Sequence, residues 1–266
     1  MTRRFACVLL LLFILASTWI ALRPGDHPGT SYSSQDRNAI AAPTSTAHPA
    51  GTDALGRDRL VRVAVASLLG LAGAISASAI TTAIAAAVGI ASAFSPAPVS
   101  ALLLLMCDIF LALPWLFLLM MVRSGLPLTT TPLHSAAITF LILALLGWPA
   151  CARAVHSGAA AIRKADWLVQ GRAAGLRTTQ LMRRHVLPHL LPLLLPQFLI
   201  CIPACLIAEA NLGTLGLGVG EPLPSWGAML LELDNSAVLA SSHWVYLPIV
   251  LLVTLLALLE LLVVEA

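Results

Sequence analysis

Residues 152–192 read ARAVHSGAAAIRKADWLVQGRAAGLRTTQLMRRHVLPHLLP. This polar, basic stretch lies between two long apolar runs, at about 136–153 and 189–210, and the reading of both flanks turns on it. Residues 159–174 are good helix formers, Gly175 can take the left-handed conformation that ends a helix, and Thr178 or Thr179 can cap a second short helix running to Pro188. The expectation is a helix, turn, helix elbow. Long loops with structure of their own tend to carry function, so the elbow can present a face to a partner. The plain alternative is a solvated basic loop that only sets topology.

The flanks are not those of a soluble protein. Of 266 residues, 59% are hydrophobic and 10% charged, against roughly a quarter charged in soluble domains. The apolar residues gather into runs near the ~20 residues that cross about 30 Å of hydrocarbon. Six such runs lie at about 5–22, 65–94, 99–121, 136–153, 189–210 and 244–264. All are predicted to be helical, because lipid offers the backbone no outside hydrogen-bond partner. Pro114, Pro149, Pro192, Pro196, Pro203 and Pro248 fall in or beside them, as in kinked membrane helices. The fold class is therefore all-α: a polytopic membrane protein with six transmembrane helices and a cytoplasmic helix-turn-helix loop.

Short loops rich in Lys and Arg stay in the cytoplasm. The start MTRR places the N-terminus inside, and the crossings then place residues 154–188 inside too, with Arg163, Lys164, Arg172, Arg177, Arg183 and Arg184, and Arg153 at the edge. Outside fall residues 23–64, whose Arg and Asp nearly balance, a loop with Arg123, and residues 211–243 with Glu221, Glu232 and Asp234. The net charge of +3 thus reports topology and does not point to nucleic acid. The first run is read as an uncleaved anchor rather than a signal peptide. Cys7, Cys107, Cys151, Cys201 and Cys205 all lie in apolar runs, where cysteine behaves as a small hydrophobe.

Residues 23–51 read as an irregular connector outside the membrane, rich in Pro, Ser, Thr and Gly. In the second run small residues recur at every fourth place, Ala66, Gly70, Ala74, Ser78, Thr82 and Ala86, which suits close helix packing in lipid. The last outer loop, NLGTLGLGVGEPLPSWGAMLLELDN at 211–235, bends at its glycines and prolines, and Trp226 and Trp244 are placed as interface anchors would be. Two carboxylates fall at membrane depth, Asp108 and Glu209, with no basic residue at comparable depth. Each lines a translocation pathway or holds a structural hydrogen bond. His185 and His189 have the spacing of a helical metal pair, but Pro188 interrupts it and no third ligand is evident, so no metal site is assigned. No phosphate-binding loop occurs and no G-x-S-x-G run, and His134 and His243 lie at span ends; no catalytic residue is assigned, and no enzyme is expected.

Several elements resemble the inner-membrane permeases of the dipeptide, oligopeptide and nickel branch of ABC importers. HPAGTDALGRDRL at 48–60 is similar to that family's signature before the second span, and LGWPACARAV at 146–155 to its element at the cytoplasmic edge. ADWLVQGRAAGLRTTQLMRRHVLP at 165–188 resembles the EAA loop, and AEANLGTLGLGV and PSWGAML the outer loop that follows. The likeness covers about residues 35–235. It implies that the elbow, through Asp166, Gln170, Gly171, Arg172, Ala173, Ala174, Gly175, Arg184, His185 and Pro188, seats on a cytoplasmic ATPase. It further implies a second permease subunit, two ABC ATPases and an external solute-binding protein, with ATP hydrolysed by the partners and no cofactor bound by this chain. The division implied is 1–64 as anchor and connector and 65–266 as permease domain, in the inner membrane among its lipids. The implied cargo is small peptides; nickel or another small solute, a degenerate structural permease and an ion-coupled carrier are the alternatives. Gln170 and Gly171 depart from the family pattern, which has an acidic residue and alanine there, and no Gly-Ala-Arg-like element follows the LGRD signature.

Overall fold

The computed structural model describes residues 2–23, 31–125, 131–234 and 243–264. These residues build helices and no extended sheet. In chain order they are α1 (Thr2–Ala21), α2 (Arg59–Phe94), α3 (Ala97–Ala112), α4 (Trp115–Ser124), α5 (Pro132–Leu146), α6 (Trp148–Arg163), α7 (Asp166–Ala173), α8 (Thr178–Leu181), α9 (Leu187–Thr214), α10 (Trp226–Leu230) and α11 (Leu247–Val264). Five helical stretches are long and apolar enough to cross a membrane, and the bent pair α3 and α4 makes a sixth.

At 36 residues α2 is about 54 Å long, well beyond the hydrocarbon thickness, and it is the mast of the bundle, with α1, α5, α6 and α9 packed around it. It begins at Arg59, six residues before the predicted start, because the Asp58 carboxylate accepts from the Val61 amide and caps the helix. The small-residue stripe is buried as expected from Ala66 to Ser78, then the seam steps back to Thr81, Ala85, Gly89 and Ser92. The physical reason is helical pitch: a strict four-residue series drifts by about 40° per step, so a seam facing one neighbour must take an occasional three-residue step. Below the step α6 lies close enough that a Cβ on Gly89 would meet the Ala152 carbonyl at 2.7 Å.

The third predicted span is not straight. Leu113 and Pro114 break it, and α3 and α4 diverge by 87°. Proline removes a backbone donor and disfavours helix at the residue before it, which ends α3 there. The fourth span combines α5 and α6, jointed at Gly147, and runs as Pro132–Arg163. The fifth is longer than predicted: α8, a π-helical turn at Met182–Val186 and α9 run on as Thr178–Thr214. The second helix of the elbow is thus the first part of a span and not a separate short helix. The wide π turn sits just before Pro188, where the ring needs room against the preceding turn.

Candidate functional site

At the elbow end of the bundle α6 stops at Arg163, and α7 starts three residues later with Asp166 in its first turn. After α7, Gly175 takes φ +81° and the Leu176 amide returns to the Gly171 carbonyl at 3.2 Å, the αL turn expected from the sequence. The next helix is capped differently from expectation. Arg177 takes the cap position, and the Gln180 side chain accepts from its amide at 3.1 Å.

The elbow holds its shape through a small core of its own. Leu168, Leu181 and Val186 are buried with Val155, Ala159 and Leu190, so α7 lies across the root of α9. Trp167 stacks on His189 with ring centroids 4.5 Å apart, and His185 lies 5.9 Å away on the same indole. The His185 and His189 pair therefore packs an aromatic helix contact. Glycine at 171 permits the approach, since a Cβ there would lie 2.8 Å from a Leu181 methyl. The opposite surface is polar: Asp166, Gln170, Arg177, Arg183 and Arg184 are exposed, as are Ala174, Gly175 and Pro188. Thr179, Gln180, Arg183 and Arg184 line an open groove of about 450 Å³. Arg172 and Ala173 belong to the same α7 backbone.

The other end of the bundle, at the head of α2, is arranged in the opposite sense. Arg57 Nε donates to Asp53 at 2.6 Å and its Nη1 to Glu221 at 2.7 Å; Arg62 Nη2 donates to the other Glu221 oxygen at 3.0 Å. Arg59 Nη2 reaches Glu232 at 3.2 Å, and His48 Nδ1 lies 2.9 Å from Asp58. Burial works to lower the Arg57 pKa, but its bonds to Asp53 and Glu221 outweigh it and hold the guanidinium above its usual value. Burial pushes the Glu232 carboxyl above the usual range, with Arg59 pulling the other way. Three arginines at the head of α2 thus clasp the outer loop to the connector. Sequence reasoning assigned none of them a role, although isolated carboxylates in an otherwise neutral loop were the available signal.

The outer loop is pressed onto α9 with little room. A Cβ on Gly213 would lie 2.4 Å from the Gly227 backbone, so only glycine permits the contact. Trp226 is fully buried against Gly70 and is a core residue, not the interface anchor expected; Trp244 is partly exposed. Arg123, expected in an outer loop, lies buried in α4 and donates to the Leu217 and Gly218 carbonyls and the Ser135 hydroxyl.

The two carboxylates at membrane depth differ. Asp108 is salt-bridged to Arg153 of α6, which corrects the expectation that no basic residue lies at its depth. The long Arg153 side chain, carried within the Pro132–Arg163 helical stretch, supplies the partner. Glu209 is 1% exposed and faces the first turn of α10, toward Ser225 and the Trp226 and Gly227 amides, yet neither oxygen closes a hydrogen bond. Asp108 and Glu209 are not brought together into one site. Among the described residues no group of three or more His, Cys, Asp or Glu could hold a metal ion.

Residues 79–266 match the family model of the binding-protein-dependent transport system inner membrane component. Similar proteins include a dipeptide transport system permease protein of Bacillus subtilis (strain 168), 28% identical over 89% of this chain and 70% of that protein. Glutathione transport system permease proteins of Escherichia coli O157:H7 and Shigella sonnei (strain Ss046) are each 31% identical, over 97% of this chain and 81% of their own length.

Proposed function

This chain belongs to the family of binding-protein-dependent transport system inner membrane components, and from that membership we propose that it is the permease subunit of an ATP-driven importer of small peptides. The observation that carries the reading is the elbow: a packed helical hairpin joined directly to two membrane spans, with its basic and polar face turned outward from its own core. A lever fixed to two spans passes a push at its tip into the bundle. ATP and substrate-loaded binding protein then bias one two-state bundle from its two ends.

In this reading Asp166, Gln170, Gly171, Arg172, Ala173, Ala174, Gly175, Arg184, His185 and Pro188 form or shape the seat for a cytoplasmic ATPase. Two such ATPases and a second permease subunit complete the membrane complex, and a solute-binding protein delivers cargo to the outer side. The partners hydrolyse the ATP, and this chain performs no chemistry. Its N-terminus is cytoplasmic, residues 1–64 serve as anchor and connector, and 65–266 form the permease domain. Asp108 and Glu209 are the pathway candidates, with Asp108 held by Arg153. Two names among the relatives support peptide cargo, a dipeptide and a glutathione permease.

The test is copurification with transport. The tagged chain, expressed with the permease, ATPase and binding-protein genes of its operon, is expected to bring down the ATPase and to drive ATP-dependent dipeptide uptake in proteoliposomes. Uptake that persists without ATP, or a chain that retains no ATPase, contradicts the proposal. Gln170→Glu, which restores the acidic residue of the family pattern, is expected to raise ATPase stimulation by loaded binding protein.

A further inference from the structure

Halfway through the bundle, four of the five cysteines lie buried where α2, α3, α6 and α9 meet. Two of them touch: the Cys151 sulfur on α6 lies 3.6 Å from the Cys201 sulfur on α9. Both are free thiols. The Gln197 amide donates to the Cys151 sulfur at 2.9 Å and fixes its position beside Cys201. Cys201 lines a cavity of about 170 Å³ with Thr81, Trp115, Gly147 and Cys205, beside the bend between α3 and α4. Its lining is mainly apolar, and its volume is several times the ~30 Å³ that a water occupies in the liquid, so a small neutral molecule of the size of hydrogen peroxide fits beside the Cys201 sulfur.

The helices involved give the pair its meaning. From the sulfurs, α6 runs directly to the elbow and α9 returns from it, so a bond between them closes the two arms of the lever. We propose that Cys151 and Cys201 are a redox lock: hydrogen peroxide oxidises them to a disulfide that fixes α6 against α9 and halts the bundle in one state. In the first step the Cys201 sulfur attacks peroxide, the O–O bond breaks, an S–O bond forms and one water leaves. In the second step the Cys151 sulfur attacks the sulfenic sulfur, the S–S bond forms, the S–O bond breaks and a second water leaves. The two thiols lose two electrons and two protons, and the peroxide takes up both. A dithiol reductant reverses the bond by thiol–disulfide exchange.

The covalent step stands by itself, whereas the effect on transport rests on the importer reading. The experiment uses inner-membrane vesicles carrying the whole complex, treated with hydrogen peroxide, with peptide mass analysis and dipeptide uptake read on the same sample. Expected are a linked Cys151 and Cys201 peptide pair two hydrogens lighter than the thiols, loss of ATP-dependent uptake, and recovery of both on reduction. Cys151→Ser and Cys201→Ser are each expected to abolish the bond and keep uptake under peroxide, while Cys107→Ser responds as the unaltered chain does. Absence of the linked peptides overturns the proposal, as does a formed bond with unchanged uptake. A reduced complex without uptake counts against the importer reading alone, because the linked peptides are read by mass.

Discussion

The two ends of this molecule use charge in opposite ways. At the clasp end Arg57, Arg59 and Arg62 are buried and each reaches a carboxylate of the same chain, at 2.7, 3.2 and 3.0 Å. At the elbow end Arg177, Arg183 and Arg184 are exposed, and among the described residues no carboxylate pairs with them. A buried guanidinium must find acceptors within the fold, carboxylates for Arg57, Arg59 and Arg62 and neutral oxygens for Arg123, because desolvation makes an unpartnered one costly. An exposed one remains solvated. The clasp end is thus closed on itself, whereas the elbow end turns its arginines away from the fold.

The largest expected effect comes from opening the clasp. Asp53 is 1% exposed and accepts from both the Arg57 side chain and backbone, so Asp53→Ala strands buried cations. A loss of about 3–5 kcal/mol is expected, read as a lower melting temperature in detergent; unchanged melting would mean that the clasp is not structural. Next comes Gly213→Val, which forces α9 and α10 apart where a Cβ would lie 2.4 Å from backbone. Overpacking of this kind costs about 1–3 kcal/mol, and intact melting behaviour would show that the outer loop is looser than described. The smallest stability effect is expected at the elbow end. Arg183→Ala with Arg184→Ala changes stability by no more than ~0.5 kcal/mol, as for exposed surface positions, yet it is expected to reduce ATPase copurification sharply. A double variant that unfolds the chain, or that keeps its ATPase, would erase the contrast between the two ends.

Much of the fold was legible because lipid constrains it so tightly: runs of apolar residues must be helices, and five of the six predicted runs are continuous helical spans. The elbow was legible through Gly175 and its helix-forming flanks. What stayed hidden depends on contacts between residues distant in sequence. Nothing local to Glu221 indicates Arg57 and Arg62, and nothing local to Asp108 indicates Arg153, since each pairing exists only once the spans are bundled. Trp226 was misplaced for a related reason: a tryptophan near a span end reads as an interface anchor unless the glycine it packs on, Gly70, is known to face it. The break at Pro114 was visible as a residue, but proline kinks some membrane helices and stops others, and packing decides which.

In the proposed importer the elbow faces the cell interior and is covered there by the ATPase. Arg177→Cys, placed in a chain whose Cys7 is replaced by serine, can be probed with a membrane-impermeant maleimide. Expected are no labelling in intact cells, strong labelling in inverted vesicles stripped of ATPase, and protection when the ATPase is bound. Labelling of Cys at this position from outside intact cells would contradict it.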